Sequence, residues 1–509
     1  MNNKMQQNET DLLPLSRKNL IYINNLPVPS SLILNLPEKV LQFGTGVLLR
    51  GLPDDYIDHA NKQGIFNGRI VIVKSTQQNK VDDFDRQDGL YTLCKRGWEK
   101  GEMISENSLN ASVSRVLSAD DQWNEVMKCA HNPELAVIVS NTTEVGIVLD
   151  AHDKISTTSV PHSFPGKLVA FLLERYKAFK GEESAGMVII PTELIANNGK
   201  QLKNICIELA EMNKLEAGFI SWLKEANDFC DSLVDRIVAG KVKGEEGDAI
   251  QGKLGYKDNL MIMSEVYGLW AIQASKPHTK KVLSFAKANS GVVVQNDIER
   301  FRRMKLFLLN APHTFTVVIA MACGFKTVKE AMDDKAFESF ITELIFDEII
   351  KVVVNDDISK KDAELFAAKV LDRFRNPFIQ HYWIDISKQI SSKILMRCIP
   401  LIRGYQDKFE ALPQKMIQGL AAYLLYTKTA IDKEGNYIAD LNKKEIVLVD
   451  AKAELLYKHW QAASMKQAVS YILSDKKLWN ENLKEINGLE QAVLKEMNAL
   501  LKNNDFLKE

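Results

Sequence analysis

The feature that most constrains this chain is a set of apolar runs spread through its first half. They are Val40-Leu41-Gln42-Phe43, Ile70-Val71-Ile72-Val73, Ala136-Val137-Ile138-Val139 and Met187-Val188-Ile189-Ile190. None alternates apolar with polar, as a strand with one wet face would. Near-continuous runs rich in β-branched residues suit strands buried on both faces, the condition inside a parallel sheet. Parallel neighbours need crossovers, and the intervening stretches carry helical patterning, as at Ala119 to Cys129 and Lys167 to Phe179. The first half therefore predicts βαβ units wound into a doubly wound α/β sheet.

The second half changes character. From Asn296 the pattern is mostly helical, and past Pro413 there is no proline and only three glycines. One strand-like run, Ile446-Val447-Leu448-Val449, interrupts it. The 509 residues thus read as two large domains, 1–294 and 295–509, parted after the Gly291-Val292-Val293-Val294 run.

Charge and composition narrow the function. Lys+Arg is 65 against 66 Asp+Glu, for a net charge of -1, so no sustained basic stripe exists to hold a nucleic acid. No apolar run reaches the roughly 18 residues of a membrane span. Residues Met1 to Asp11 are polar and lack the apolar centre of a signal peptide. The six cysteines are scattered, and neither they nor the eight histidines show metal-ligand spacing. The expectation is a reduced, cytoplasmic protein with no structural metal, acting on a small molecule, its oligomeric state open.

Gly44-Thr45-Gly46 closes the first strand and precedes a helix. One glycine permits the tight turn, the other lets backbone approach a pyrophosphate, and the helix start supplies N–H groups. Leu49 stands where a full dinucleotide fingerprint has its third glycine. An ordinary strand-to-helix turn fits the same residues, and the turn's place at the first strand favours a nucleotide. The second strand ends in Lys74-Ser75-Thr76 with no carboxylate for a ribose, which leaves NAD and NADP both open. Asn141 and Thr142, after the third run, sit where a ligand lies beyond strand ends, or where a helix is capped.

The most informative stretch is Asn296 to Phe315. Asn296 with Glu299 resembles a capping box opening a helix. Along it lie Lys305, Asn310 and His313. At about 100° per residue, Asn310 lies about 140° and His313 about 80° from Lys305, one broad face. Pro312 predicts a kink there that turns Asn310 and His313 inward. A lysine among Leu306, Phe307 and Leu309 is desolvated enough to exchange a proton near neutrality. An asparagine amide can stabilise an alkoxide, and a histidine can orient a hydroxyl. Those are the parts needed to reduce a carbonyl by hydride. A surface lysine, a kink-associated asparagine and a core histidine fit the spacing equally.

Six ordered motifs then carry a resemblance. QFGTGVLLRG at Gln42–Gly51, IVSNTTEVGI at Ile138–Ile147, SFPGKL at Ser163–Leu168, LVDRI at Leu233–Ile237, the Lys305/Asn310/His313 spacing and RFRNP at Arg373–Pro377 resemble the polyol-specific long-chain dehydrogenases, the mannitol dehydrogenase family. The resemblance implies a Rossmann-like N-terminal domain, a mostly α-helical C-terminal domain and an active site between them. It implies NAD(H), held by Phe43, Gly44, Thr45, Gly46, Ser75, Asn141 and Thr142, and metal-independent catalysis. Lys305 would be the general acid/base, Asn310 an oxyanion donor and His313 a substrate contact. Asp235 and Arg373 would line the substrate side, where unaided reading sees ion pairs with Arg236 and Asp372. The family carries Asp-Asn-Leu after the fourth strand, whose Asn is a second oxyanion donor. Leu194 stands there instead, so Asn197 or Asn198 would take that role. The substrate implied is a uronate ketone, D-tagaturonate reduced to D-altronate, with D-fructuronate and mannitol as alternatives. A carboxylate asks for a cation: Arg373 first, with Arg50, Arg302 and Arg303 behind it. An NAD-binding sensor without turnover is the non-enzymatic alternative.

Overall fold

The computed structural model describes residues 12–74, 83–142, 146–442 and 444–503. The chain divides into two compact units, Met1–Arg96 with Met103–Ile298, and Gly97–Glu102 with Glu299–Glu509.

The first unit is built on a six-stranded sheet: β1 (Glu38–Phe43), β2 (Arg69–Lys74), β3 (Val113–Ser118), β4 (Val137–Ser140), β5 (Val188–Pro191) and β6 (Asp228–Phe229). Its spatial order is β3-β2-β1-β4-β5-β6, and every neighbouring pair is parallel. The strand order reverses between β1 and β4, where Gln42 sits opposite Ile72 on one side and Val139 on the other. That is the doubly wound, Rossmann order, and its switch point is where such sheets bind ligands.

The burial pattern explains the uninterrupted apolar runs. Leu41, Phe43, Val71, Val73 and Ile138 point into one core, while Val40, Ile70, Ile72, Val137 and Val139 point into another. Helix α1 (Pro53–Lys62) contributes Ile57 and Ala60 to the second core. Helices α2 (Phe164–Ala178) and α3 (Asn198–Met212) cover the opposite face with Leu168, Phe171, Leu202 and Cys206. With both faces dry, no strand position calls for a polar residue. The Val292–Gln295 strand belongs to a separate three-stranded sheet with Leu269–Gln273 and Ser232–Asp235.

The second unit is largely helical around α4 (Glu299–Ala322). Every residue from Ala311 to Ala322 is buried. By length and composition α4 could cross a bilayer, but 78% of its most apolar stretch lies inside the protein, so its hydropathy is that of a core helix. Around it are α5 (Lys360–Phe374), α6 (Ile390–Lys393, Ile394–Cys398 and Ile399–Phe409 in one run) and α7 (Gln414–Tyr426). A Cβ on Gly419 of α7 would lie 2.7 Å from the Phe315 carbonyl of α4, so this glycine sets how closely the two helices pack. Strands Thr429–Ile431, Tyr437–Leu441 and Lys444–Val447 form a small antiparallel sheet, where the sequence had predicted one strand over 446–449.

Two local expectations change. Asn296 does not open α4, which begins at Glu299; its Oδ1 instead accepts from Lys280 Nζ at 2.9 Å. Nor does Pro312 interrupt the helix. Residues Lys305–Asn310 widen into a π-helix, and the Ala311 N–H donates to the Leu306 carbonyl five residues back. A proline has no N–H and its ring crowds the carbonyl four residues earlier; a wider turn relieves that crowding without breaking the helix. The same solution recurs in α6. Its π segment Ile394–Cys398 also ends two residues before a proline, Pro400.

Candidate active site

In the first unit the chain leaves β1 at Phe43 and turns through Gly44, Thr45 and Gly46. Gly44 has φ +118°, and its N–H donates to the Val73 carbonyl at 3.0 Å. A Cβ there would lie 3.0 Å from the Asn141 carbonyl oxygen and 3.3 Å from Leu49, so dihedral and space both require glycine. Gly46 differs: a Cβ on it would meet nothing within 4 Å. The outer face of the turn is open to whatever approaches the backbone. Leu49, in place of the third glycine, is fully buried. Close packing falls instead to Gly51, whose Cβ would sit 2.7 Å from Val238 Cγ2.

At the carboxyl end of β4, Asn141 donates its amide to Thr192 Oγ1 at 3.0 Å and to the Thr192 carbonyl at 3.1 Å. Thr142 gives its N–H (2.9 Å) and hydroxyl (3.0 Å) to Glu193 Oε1, and Ser140 gives its hydroxyl to Glu193 Oε2 at 3.1 Å. Glu193 thus rigidifies the loop beside the glycine turn. A cavity of about 410 Å³ opens here, at the ends of β1, β2 and β4, with Phe43, Gly44, Val73 and Thr142 along its strand side. Ser163 and Lys167, at the start of α2, line the other side. Lys167 donates to the His162 carbonyl at 2.7 Å, and burial lowers its pKa against the pull of Asp120 and Asp153. The turn, the open Gly46 face and the switch-point cavity fit a dinucleotide. Lys74 ends β2; Ser75 lies outside the described residues.

The two asparagines expected to replace the family's second donor part company. Asn198 is fully buried, and its amide faces three backbone carbonyls, of Pro191 (3.0 Å), Glu193 (3.0 Å) and Ser232 (3.2 Å). Its Oδ1 accepts from the Gly199 and Ser232 N–H groups, both at 2.9 Å. Both amide protons are engaged, so Asn198 staples loops together. Asn197, in the left-handed region at φ +52°, is exposed. Asp235 is buried at the end of its strand rather than at a helix end. The guanidinium of Arg236 reaches Asp55 at 2.8 Å and the Gly51 carbonyl at 2.6 Å.

In the second unit α4 carries Lys305, Asn310 and His313. Because Lys305–Asn310 is one π segment, a residue and its fifth successor stand one turn apart on one face. Lys305 and Asn310 are such a pair, brought closer in azimuth than a regular α-helix would allow. Both are half-buried. His313 is deeply buried, its ring 4.1 Å from Phe374, 5.1 Å from His381 and 5.6 Å from Trp383, centroid to centroid. Its Nδ1 is buried without a protein partner. Burial holds its pKa well below the ordinary value, and His381, Arg373, Arg397 and Lys393 push the same way.

The expected Arg373, on α5, therefore belongs to this neighbourhood. Asp372 lies 3.6 Å from Arg375, which also pairs with Glu338 at 2.6 Å. The weaker cation candidates have other work. Arg50 is buried, donates to the Leu260 carbonyl at 2.7 Å and lies over Phe84 and Tyr91. Arg302 pairs with Glu299 at 3.0 Å, and Arg303 lies over Phe307. Sequence reading missed Lys393, Arg397, His381 and Lys167. One signal was present for the first two: Lys393 and Arg397 lie on a helical stretch shortly before Pro400, as Lys305 and Asn310 lie shortly before Pro312.

A glycine turn over the switch point of a doubly wound sheet, followed by a helical unit with a half-buried lysine and asparagine on one face, defines a dinucleotide-dependent oxidoreductase of two units. Comparison narrows this. Residues 38–283 match the mannitol dehydrogenase Rossmann domain and residues 297–501 the mannitol dehydrogenase C-terminal domain. The chain belongs to the mannitol dehydrogenase family. It is 36% identical to altronate oxidoreductase of Bacillus subtilis (strain 168), over 91% of this chain and 93% of that one. It is 34% identical to altronate oxidoreductase of Escherichia coli O7:K1, over 91% and 95%. Among solved structures, the ternary complex of Pseudomonas fluorescens mannitol 2-dehydrogenase with NAD and D-mannitol superposes with a TM-score of 0.67 at 19% identity, covering 97% of this chain and 98% of that one. A substrate-free D-sorbitol dehydrogenase reaches 0.76 at 18% identity, covering 97% and 100%. These two likenesses extend to the fold. The family resemblance read from the six motifs is borne out.

Proposed function

We propose that this chain catalyses the reversible reduction of D-tagaturonate to D-altronate with NAD(H), with Lys305 as general acid/base and no metal. The substrate rests on the altronate oxidoreductases that it matches along nine-tenths of its length. The chemistry rests on one observation, the π turn that stacks Lys305 and Asn310 on one face of α4. NAD is the cofactor present in the mannitol 2-dehydrogenase of the same fold. Among the described residues no group of three or more His, Cys, Asp or Glu is gathered as a metal site would need, so the proton donor is sought among the chain's own side chains.

Phe43, Gly44, Thr45, Gly46, Ser75, Asn141 and Thr142 would hold the dinucleotide, with its pyrophosphate against the open face at Gly46. When bound, NADH supplies a hydride to the carbonyl carbon. Lys305, as the ammonium, gives a proton to the carbonyl oxygen, and as the amine takes it back in the reverse direction. Asn310 donates an amide hydrogen to the charge that builds on that oxygen. His313, kept neutral by burial, meets a substrate hydroxyl through Nδ1 and does not compete as an acid. Asp235 orients a second hydroxyl, and Arg373 another group on the substrate side. With Asn198 tied to backbone, Asn197 is the candidate for a second donor, and Asn198 holds the loop that presents it.

The test is NADH oxidation by the purified protein with D-tagaturonate, D-fructuronate and D-fructose, repeated with NADPH. Selective turnover of tagaturonate with NADH is the expected result. Preference for fructuronate would keep the chemistry and change the substrate. Absence of turnover with all three would replace catalysis by nucleotide sensing.

A further inference from the structure

We propose that Arg397 recognises the carboxylate of a sugar-acid substrate, from a seat against Thr314 on the helix that carries Lys305, Asn310 and His313. The inference rests on the reading that α4 is where the substrate reacts. It goes beyond that reading by naming the residue that tells a uronate from a neutral ketose.

Arg397 lies in the π segment of α6, and its Nη1 donates to Thr314 Oγ1 at 3.2 Å. The Thr314 hydroxyl in turn donates to the Asn310 carbonyl at 2.9 Å. The guanidinium is thereby fixed one residue from His313 and one turn from Asn310. Its Nε is buried with no protein partner. Burial lowers the pKa of Arg397 against a small pull from Cys398, and among the described residues it has no carboxylate partner. A half-buried arginine without a counter-ion is a costly arrangement unless an anion completes it.

The surroundings have the same sign. Lys393, one turn away, donates to the Ile386 carbonyl at 2.7 Å and feels the charge of Arg397. Arg373 and His381 act on His313 from α5 and the segment after it. Among the described residues Asp450 acts on Lys393 and Asp385 on His381, and both are engaged. Asp450 accepts from the Ser391 N–H at 2.8 Å, and Asp385 pairs with Lys388 at 2.6 Å. The neighbourhood is thus a gathering of cations beside a helix whose reacting face suits a ketone. A hexuronate ketose has a ketone near one end and a carboxylate at the other, and a guanidinium is the side chain best shaped to take that carboxylate in two parallel bonds.

The experiment compares wild type, Arg397→Met and Arg397→Lys. It reads kcat/KM for D-tagaturonate and for D-tagatose, the same ketose with an alcohol in place of the carboxylate. Affinity for D-altronate is measured by calorimetry, without turnover, and NADH affinity serves as the check on folding. Arg397→Met should lose roughly a hundred-fold in kcat/KM for tagaturonate and in altronate affinity, with a far smaller fall for tagatose and NADH affinity unchanged. Arg397→Lys, which keeps the charge but not the fork, should fall between. If Arg397→Met does not fold, Arg397→Lys carries the test through the same substrate comparison. A parallel fall for tagaturonate and tagatose, or altronate affinity equal to wild type, overturns the inference. The two readings fail separately. A wild type that binds altronate through Arg397 but reduces no ketose sinks the proposed reaction alone. A wild type that reduces tagaturonate while Arg397→Met does so equally well sinks only this inference.

Discussion

Lys305 bears the proposed proton transfer, and its position explains why a lysine suits it. It is half-buried at the start of the π turn, with Leu308 and Leu309 buried just beyond. Lys305→Ala removes the donor while leaving the glycine turn of the other unit untouched. We expect kcat to fall by roughly 10²–10⁴-fold, the usual worth of general acid–base catalysis, with NADH affinity unchanged in a fluorescence titration. Near-normal turnover would return Lys305 to the surface lysines. His313 makes a complementary point at the same scale. Its type and spacing are plain in the sequence. Its neutrality is not, because that comes from Phe374, Trp383 and the cations Arg373, Lys393 and Arg397 brought by other elements.

Two short elements set the geometry, and each depends on one or two residues. The π turn Lys305–Asn310 precedes Pro312 as Ile394–Cys398 precedes Pro400, while a third π segment, Leu344–Ile349, has no proline after it. Pro312→Ala lets α4 recover a regular register, which rotates Asn310 away from Lys305. We expect kcat to drop between about ten- and a hundred-fold, while the melting temperature holds or rises because an interior proline is removed. An unchanged kcat would show that the wide turn is incidental. In the glycine turn the two glycines separate protein from ligand. Gly44→Ala forces a Cβ toward the Asn141 carbonyl and lowers stability as well as binding. Gly46→Ala adds a methyl group where the protein leaves open space, so the melting temperature should stay put while the NADH dissociation constant rises more than about ten-fold. Unaltered NADH affinity in that variant would move the pyrophosphate elsewhere.

At the scale of the molecule, stability should carry the mark of Asp54. This carboxyl of α1 is fully buried and pushed up to about 8, chiefly by desolvation, with Arg50 pulling the other way. The folded protein keeps a proton that the unfolded chain releases near pH 4, so between about pH 4 and pH 8 folding takes up protons and stability falls as pH rises. Asp54→Asn keeps the shape without the titration and should flatten melting temperature against pH over that window. Equal slopes for both proteins would show that Asp54 is ionised throughout. The architecture itself was largely legible. Strands buried on both faces must be written as unbroken apolar runs, so β1, β2, β4 and β5 could be read directly, and the helical second half followed from its periodicity. Strand β3 was not seen because it lies at the sheet edge, where Ser114 and Arg115 face Glu38 and water instead of a core. Strand β6, only Asp228–Phe229, is too short to leave a pattern. Lys305, Asn310 and His313 could be singled out as candidates because they share one helix, and helical spacing is a local property. Which asparagine is spent on backbone, which histidine stays neutral and which arginines gather at α4 depended on atoms far apart in the chain. By itself the sequence determined what is periodic or contiguous: the sheet, the glycine turn and the lysine helix. Only the tertiary structure decided the charge and hydrogen-bond partners of each site residue, because electrostatics and burial act through space and the chain order does not record distance.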